Sequence, residues 1–213
     1  SISDDAILMF PDITEMYPNV DVEEAIEIIG EKYEQKPSKY DLPKDCIVEG
    51  LKLCQECNCV QFNGKYYLQC KGCAMGPAHG CDYTDVWIGK IVETHVDMCP
   101  VETLSFSIYR DDGLDVLLWG EQDLPQFQTH LNNLHPNLTF ETKSGKEGPY
   151  LDLWIMLKDG KIETRNFKKF EPTHLDPKSC HDKSVFKGLY KGVGLRLRLN
   201  CSNDEDFVEA VDQ

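Results

Sequence analysis

Three aspartates stand where apolar runs end or turn. Asp12 closes the run AILMFPDI at residues 6–13, and Asp111 and Asp112 lie side by side in IYRDDGLDVL. If the strands that carry them are neighbours, three carboxylates converge on one spot. Like charges that close together either raise a pKa or recruit a cation. Two hard divalent ions held by carboxylates are the machinery of phosphoryl transfer, one at the attacking oxygen and one at the leaving oxygen. The plain alternative is that Asp-Asp-Gly is simply good turn chemistry on a surface hairpin.

Cysteine is the second chemistry-bearing residue type. The chain has 10, and Cys54, Cys57, Cys59, Cys70, Cys73 and Cys81 crowd into one short stretch. Three readings compete: disulfides in an oxidising compartment, a zinc site, and inert buried thiols. Cys54-x2-Cys57 and Cys70-x2-Cys73 flank the hairpin signal Asn63-Gly64 and approach the spacing of a zinc ribbon. The same hairpin would bring its flanks close enough for at least one disulfide. His79, His95, His174 and His181 are further candidate ligands, although histidines at such positions also simply pack or face solvent.

Positioning these groups requires an ordered set of elements. The run at 6–13 reads as a strand, imperfect because of Pro11. Asp21 caps a helix over VEEAIEIIGEKYEQ, with Val22, Ala25, Ile26, Ile29 and Tyr33 on one face. A second helix is expected over about 44–58, then strands CVQF and KYYLQC around Asn63-Gly64. A Gly-rich turn, KGCAMGPAHG, leads into a long helix over about 78–98. TLSFSIY and LDVLLW form a hairpin with Asp111 and Asp112 at its tip. A helix over 122–135 turns Leu124, Phe127, Leu131 and Leu134 inward, and strands follow near 138–142, 150–157 and 161–167. No repeat, low-complexity tract or Gly/Ser linker interrupts the chain, so residues 1–213 read as one domain with a short C-terminal extension. This order predicts an α+β fold, an antiparallel sheet covered on one face by helices.

The order of motifs also resembles a family. FPDITEMYPNV looks like the first palm motif of reverse transcriptases, in particular the Penelope-like and related invertebrate retroelement group. QCKGCAMGPAHG looks like the second motif, and IYRDDGLDVL resembles the third, Tyr-x-Asp-Asp. Downstream, LHPNLTFET, PYLDLWIMLKDGKIET, RNFKKFEPT and KGVGLRLRLNCSNDEDF fit that group's continuation, so the resemblance spans roughly residues 6–207.

The resemblance implies a right-hand polymerase palm performing nucleotidyl transfer to a primer 3′ hydroxyl. Asp12, Asp111 and Asp112 would be the catalytic acids and would hold two Mg²⁺. Tyr17 would lie beneath the sugar of the incoming nucleotide. Gln69, Gly72, Ala74, Met75 and Gly76 would line the template and nucleotide side. Zinc at Cys54, Cys57, Cys70 and Cys73 is not part of the family pattern as matched here, which favours disulfides over zinc. The fingers and thumb of the family are absent from these 213 residues, so the isolated chain is expected to be inactive.

Composition sets limits on partners. The net charge is −15, which argues against a protein that embraces nucleic acid over its whole surface. The charge is uneven: residues 143–198 carry 13 basic and 7 acidic groups, so nucleic acid would prefer that segment, unless it is an ordinary solvated face. No apolar run reaches the roughly 20 residues of a membrane span. The start SISDDAILMF shows no basic region ahead of its apolar stretch, and hence no visible signal peptide. The sequons Asn137-Leu-Thr139 and Asn200-Cys201-Ser202 are permissive of secretion. Two functions therefore remain: a reverse-transcriptase-like palm, nuclear or cytoplasmic, and a domesticated non-catalytic palm, extracellular and disulfide-braced, serving as a binding or structural protein.

Overall fold

Alternation in AILMFPDI sets the layers. The computed structural model describes residues 2–36, 42–170, 175–176 and 178–212, Ala78 without its side chain. Strand β1 (Ile7–Ile13) turns Ile7, Met9 and Ile13 into the larger of two apolar cores, while Leu8 and Phe10 face the smaller one. A short helix, α1 (Met16–Asn19), follows. The Asp21 carboxylate then accepts from the Glu24 N–H and starts α2 (Val22–Gln35), whose Val22, Ala25 and Ile26 are buried as their spacing predicts. After α3 (Lys44–Glu56) comes the hairpin β2 (Cys59–Phe62) and β3 (Lys65–Leu68), closed by Asn63 and Gly64 at φ 49° and 71°. Both residues at positive φ are what an Asn-Gly two-residue turn supplies.

Helix α4 (Ala78–Met98) crosses the main core with Tyr83 and Trp87 fully buried. The hairpin of β4 (Thr103–Tyr109) and β5 (Asp112–Leu117) follows, then α5 (Leu124–Asn132), which buries Phe127 and Leu131. Strand β6 (Phe140–Gly145) completes an antiparallel sheet in the order β4-β5-β1-β6. Strands β7 (Glu147–Tyr150), β8 (Leu153–Lys158) and β9 (Lys161–Asn166) form a second, three-stranded antiparallel sheet. Helices α6 (Lys183–Asn200) and α7 (Asp204–Asp212) follow.

The helices α2, α4 and α5 pack on the main-core face, which is the expected α+β architecture. The other face is covered as well: Ile155 of β8 joins Leu8 and Val116 in the smaller core. Strand β7 escapes the sequence reading because Gly148 and Pro149 look like turn residues. Yet a Cβ on Gly148 would stand 2.6 Å from the Phe10 ring, so the glycine is there to admit that ring. The C-terminal stretch carries two helices. Gly188, Gly192 and Gly194 hide the helical pattern of α6, which is nonetheless started by the Asp182 side chain on the Ser184 N–H.

Pro11 lies inside β1, in the middle of the sheet, where its missing N–H interrupts the ladder. The register with β5 runs through Ile7↔Leu117, Leu8↔Val116 and Met9↔Asp115 and resumes at Asp12↔Asp112. Gly113 lies opposite the proline, and a Cβ there would meet the Pro11 carbonyl oxygen at 2.8 Å and its ring at 3.0 Å. The glycine of Asp-Asp-Gly thus fits the neighbouring strand as well as the turn. Among the described residues no helix is long and apolar enough to cross a membrane.

Candidate active site

One row of register partners crosses the whole four-stranded sheet: Tyr109 of β4, Asp112 of β5, Asp12 of β1 and Glu141 of β6. Partners directly opposite in antiparallel strands share a face, so these side chains emerge together on the face of the smaller core. Asp111 joins them from the hairpin tip. The turn itself is Arg110 and Asp111, with Arg110 at φ 58°, and Asp112 is already the first residue of β5. The Ile13 N–H donates to the Asp111 carbonyl oxygen at 3.0 Å, tying the tip to the end of β1.

The electrostatics follow from that crowding. Partial burial pushes the Asp12 carboxyl up from its ordinary value, and the charges of Asp111, Asp112 and Glu141 push it further, with Lys143 pulling the other way. Asp112 is also raised, by burial and by Asp111, against Lys169. The Tyr150 hydroxyl is raised by burial and by Asp112, which places this residue beside the acids too. The three aspartates do not form a set whose ligand atoms all lie within 4.8 Å of one another, a spacing that mutual repulsion favours. Their hard carboxylate oxygens, crowded on one face, fit a divalent cation such as Mg²⁺, which would offset that repulsion.

Tyr17 sits on α1, packed against the main core, with its hydroxyl 3.8 Å from the Cys81 thiol. Burial and that thiol raise its pKa, while the Arg110 guanidinium lowers it. Arg110, always charged, stands among Tyr17, Cys81, Tyr109 and Asp85, so it links the acidic hairpin to Tyr17. Sequence reasoning quoted Tyr109 within its motif but gave no role to it, to Arg110 or to Glu141. Cross-strand register is the signal that finds Tyr109 and Glu141.

The glycine-rich turn is locked against α1. The Cys73 N–H donates to the Tyr17 carbonyl at 2.8 Å, and a Cβ on Gly72, at φ 72°, would stand 2.5 Å from the Pro18 carbonyl oxygen. Ala74 is half-buried, and its carbonyl lies where a Cβ on Gly80 would fall, at 2.5 Å. Gly72 is therefore packed on α1 next to Tyr17, and Ala74 on the start of α4. Gln69 holds its own turn by donating to the Lys71 carbonyl, and Met75 and Gly76 are exposed.

The cysteines are all free thiols, so the expected disulfide is not found. Cys54, Cys57, Cys59 and Cys70 are exposed, whereas Cys73 is buried with its thiol 3.4 Å from the Gly80 carbonyl. Cys54, Cys57, Cys70 and Cys73 accordingly do not come together as a ligand group. The hairpin brings β2 and β3 together, but its register pairs Cys59 with Leu68 and leaves the thiols apart. Of the candidate histidines, His95 is buried and His181 exposed, while His174 lies outside the described residues.

No protein-family model matches the chain, and no curated protein matches it in sequence. Solved structures do match. Telomerase from Candida albicans, in complex with a fragment of telomeric RNA, superposes over 99% of this chain with a TM-score of 0.71 at 14% identity. The fold is reverse-transcriptase-like. Telomerase from Candida tropicalis, in complex with a fragment of telomeric RNA, matches over 99% with a TM-score of 0.61 and 14% identity. Its truncated apo form matches over 75%, with 0.58 and 13%. The chain spans 36% to 38% of the length of these telomerases.

Proposed function

We propose that this chain is the palm of a reverse-transcriptase-like polymerase and that Asp12, Asp111 and Asp112 are its catalytic acids. The observation that carries the reading is the Asp12↔Asp112 register, which sets the end of one strand beside the tip of a hairpin. In nucleotidyl transfer the primer 3′ oxygen attacks the α-phosphate of a nucleotide triphosphate, and pyrophosphate leaves. Two Mg²⁺ held by Asp12 and Asp111, with Asp112 beside them, would supply an activated attacking oxygen and charge for the leaving group. Tyr17 would support the sugar, with Gly72 and Ala74 keeping backbone and small side chains close to the nucleotide and Gln69, Met75 and Gly76 on the template rim. Placement in the Penelope-like group rests on the sequence motifs alone.

Nucleic acid is the proposed partner, in line with the telomeric RNA bound in two of the similar structures. The basic 143–198 segment is not uniformly available: Lys158, Arg196 and Arg198 pair with Glu163, Asp152 and Asp204. Lys143 and Lys169, which act on Asp12 and Asp112, are the bases best placed to contact a backbone phosphate. By itself the chain is expected to extend no primer, because nucleotidyl transfer depends on holding triphosphate and primer end in line, and lost positioning removes roughly 7–11 kcal/mol of catalysis. The second reading is a non-catalytic palm serving as a binding or structural protein, which gives the three crowded acids no task.

The test is fluorescence anisotropy of a labelled RNA template with an annealed primer, with Mg²⁺ present. Binding that weakens with salt, and falls with a shallower salt slope in Lys143→Gln and Lys169→Gln, is the expected result. Absence of binding at low salt, or binding indifferent to both lysines, would overturn it.

A further inference from the structure

The geometry points to a second metal site, remote in chemistry from the three aspartates: a zinc ion held by His95, Cys99 and His130. His95 and Cys99 are four residues apart, where α4 ends, and so share one side of it; His130 comes from the last turn of α5. One ligand atom from each residue lies within 4.8 Å of the other two, the one such group among the described residues.

Burial is the second observation. His95 is 1% exposed, and neither of its ring nitrogens has a hydrogen-bond partner; Nε2 of His130 is buried and unpartnered too. Buried polar atoms of this kind nearly always have partners, and here one ring nitrogen of each histidine lies with a thiol in one place. Phe106 and Phe127 flank the His95 ring, with centroids at 4.2 and 5.7 Å, which gives the group a dry apolar wall. A zinc ion would satisfy one nitrogen of each ring, since two imidazoles and a thiolate are its preferred donors.

Asp115 completes the arrangement from β5. Its Oδ1 accepts from the Val116 N–H, while Oδ2, otherwise unpartnered, stands 3.6 Å from His95 Nε2. Asp115 is outside the group of three ligands, the place of an outer carboxylate toward which the Nε2–H would donate, leaving Nδ1 for the metal. Three protein ligands leave a fourth position for water. A shallow depression lined by Pro100, Pro125, Thr129 and His130 opens from the surface here and gives an entry path. The ion would pin the end of α4 to α5 behind the sheet that carries the acids.

Exposed thiols also take zinc, so the test uses a chain in which the exposed Cys46, Cys54, Cys57, Cys59, Cys70 and Cys180 are replaced by serine. Titration with Co²⁺ as a spectroscopic probe should show one equivalent bound, with thiolate-to-metal charge-transfer absorption that zinc displaces. Cys99→Ser should abolish that absorption. His130→Gln, at a half-buried ring, should weaken zinc at least about tenfold while far-ultraviolet circular dichroism stays unchanged. Failure of the background chain to bind Co²⁺, or absorption that persists in Cys99→Ser, would overturn the site.

Discussion

Asp12 and Asp112 are register partners across β1 and β5, two carboxylates side by side on one sheet face. Directly opposed like charges destabilise a sheet, by about 0.2–1 kcal/mol for a cross-strand pair. Both pKa values are raised, first by burial and then by neighbouring acids, as that repulsion requires. The metal-free fold therefore carries a local cost at its proposed centre. Asp12→Asn should raise the thermal midpoint of the metal-free chain by about 1–4 °C, measured by calorimetry in the presence of a chelator. A fall of the midpoint would show that the pair is held by interactions other than repulsion.

The same pair sets a pH dependence. A carboxyl whose folded pKa is raised contributes stability that is fully present below its unfolded value and lost as pH rises through the folded value. Asp12, Asp112 and the buried Asp115 all have this sign. The metal-free chain should thus gain stability as pH falls from neutral towards the ordinary carboxylate range, and the Asp12→Asn, Asp112→Asn double variant should gain less. Parallel pH profiles of the two midpoints would contradict this.

Gly72 is locked at φ 72° with the Pro18 carbonyl 2.5 Å from where a Cβ would fall, and nothing soft can move aside. Gly72→Ala is expected to destabilise the chain by about 1–3 kcal/mol. Gly64→Ala, also at positive φ but with open space around it, should cost less. Urea midpoints of the two variants decide the matter, and equal losses would mean that the contact with α1 is not what fixes the turn.

Much of this was legible in the sequence. The strand ending at Asp12, the capped helix at Asp21, the Asn63-Gly64 hairpin and the acidic hairpin each have a local signal, so their positions follow from neighbouring residues. What was not legible is long-range. Glu141 joins the acidic row only because β6 pairs with β1, and Gly113 is explained by Pro11 on another strand. The dense cysteines between residues 54 and 81 drew attention through spacing, yet the described ligand group forms around Cys99, one of the sparser ones. It needs α4 and α5 to meet, and no sequence interval between His95 and His130 records that. Strand β7 and helix α6 were obscured by glycines whose reasons lie in tertiary packing or in tolerance of an exposed helix.

The most direct measurement of the central claim is Mn²⁺ binding, followed by electron paramagnetic resonance, on the parent chain and on an Asp12→Asn, Asp111→Asn variant. A third chain, Asp204→Asn with Glu205→Gln on α7, controls for diffuse binding to an acidic protein of charge −15. Manganese prefers oxygen donors and so reports on carboxylates rather than on the histidine and thiol group. The account predicts that the parent and the α7 control bind alike and that the Asp12, Asp111 variant binds at least about tenfold more weakly, a loss of about 1.4 kcal/mol. Equal binding by all three chains would contradict it.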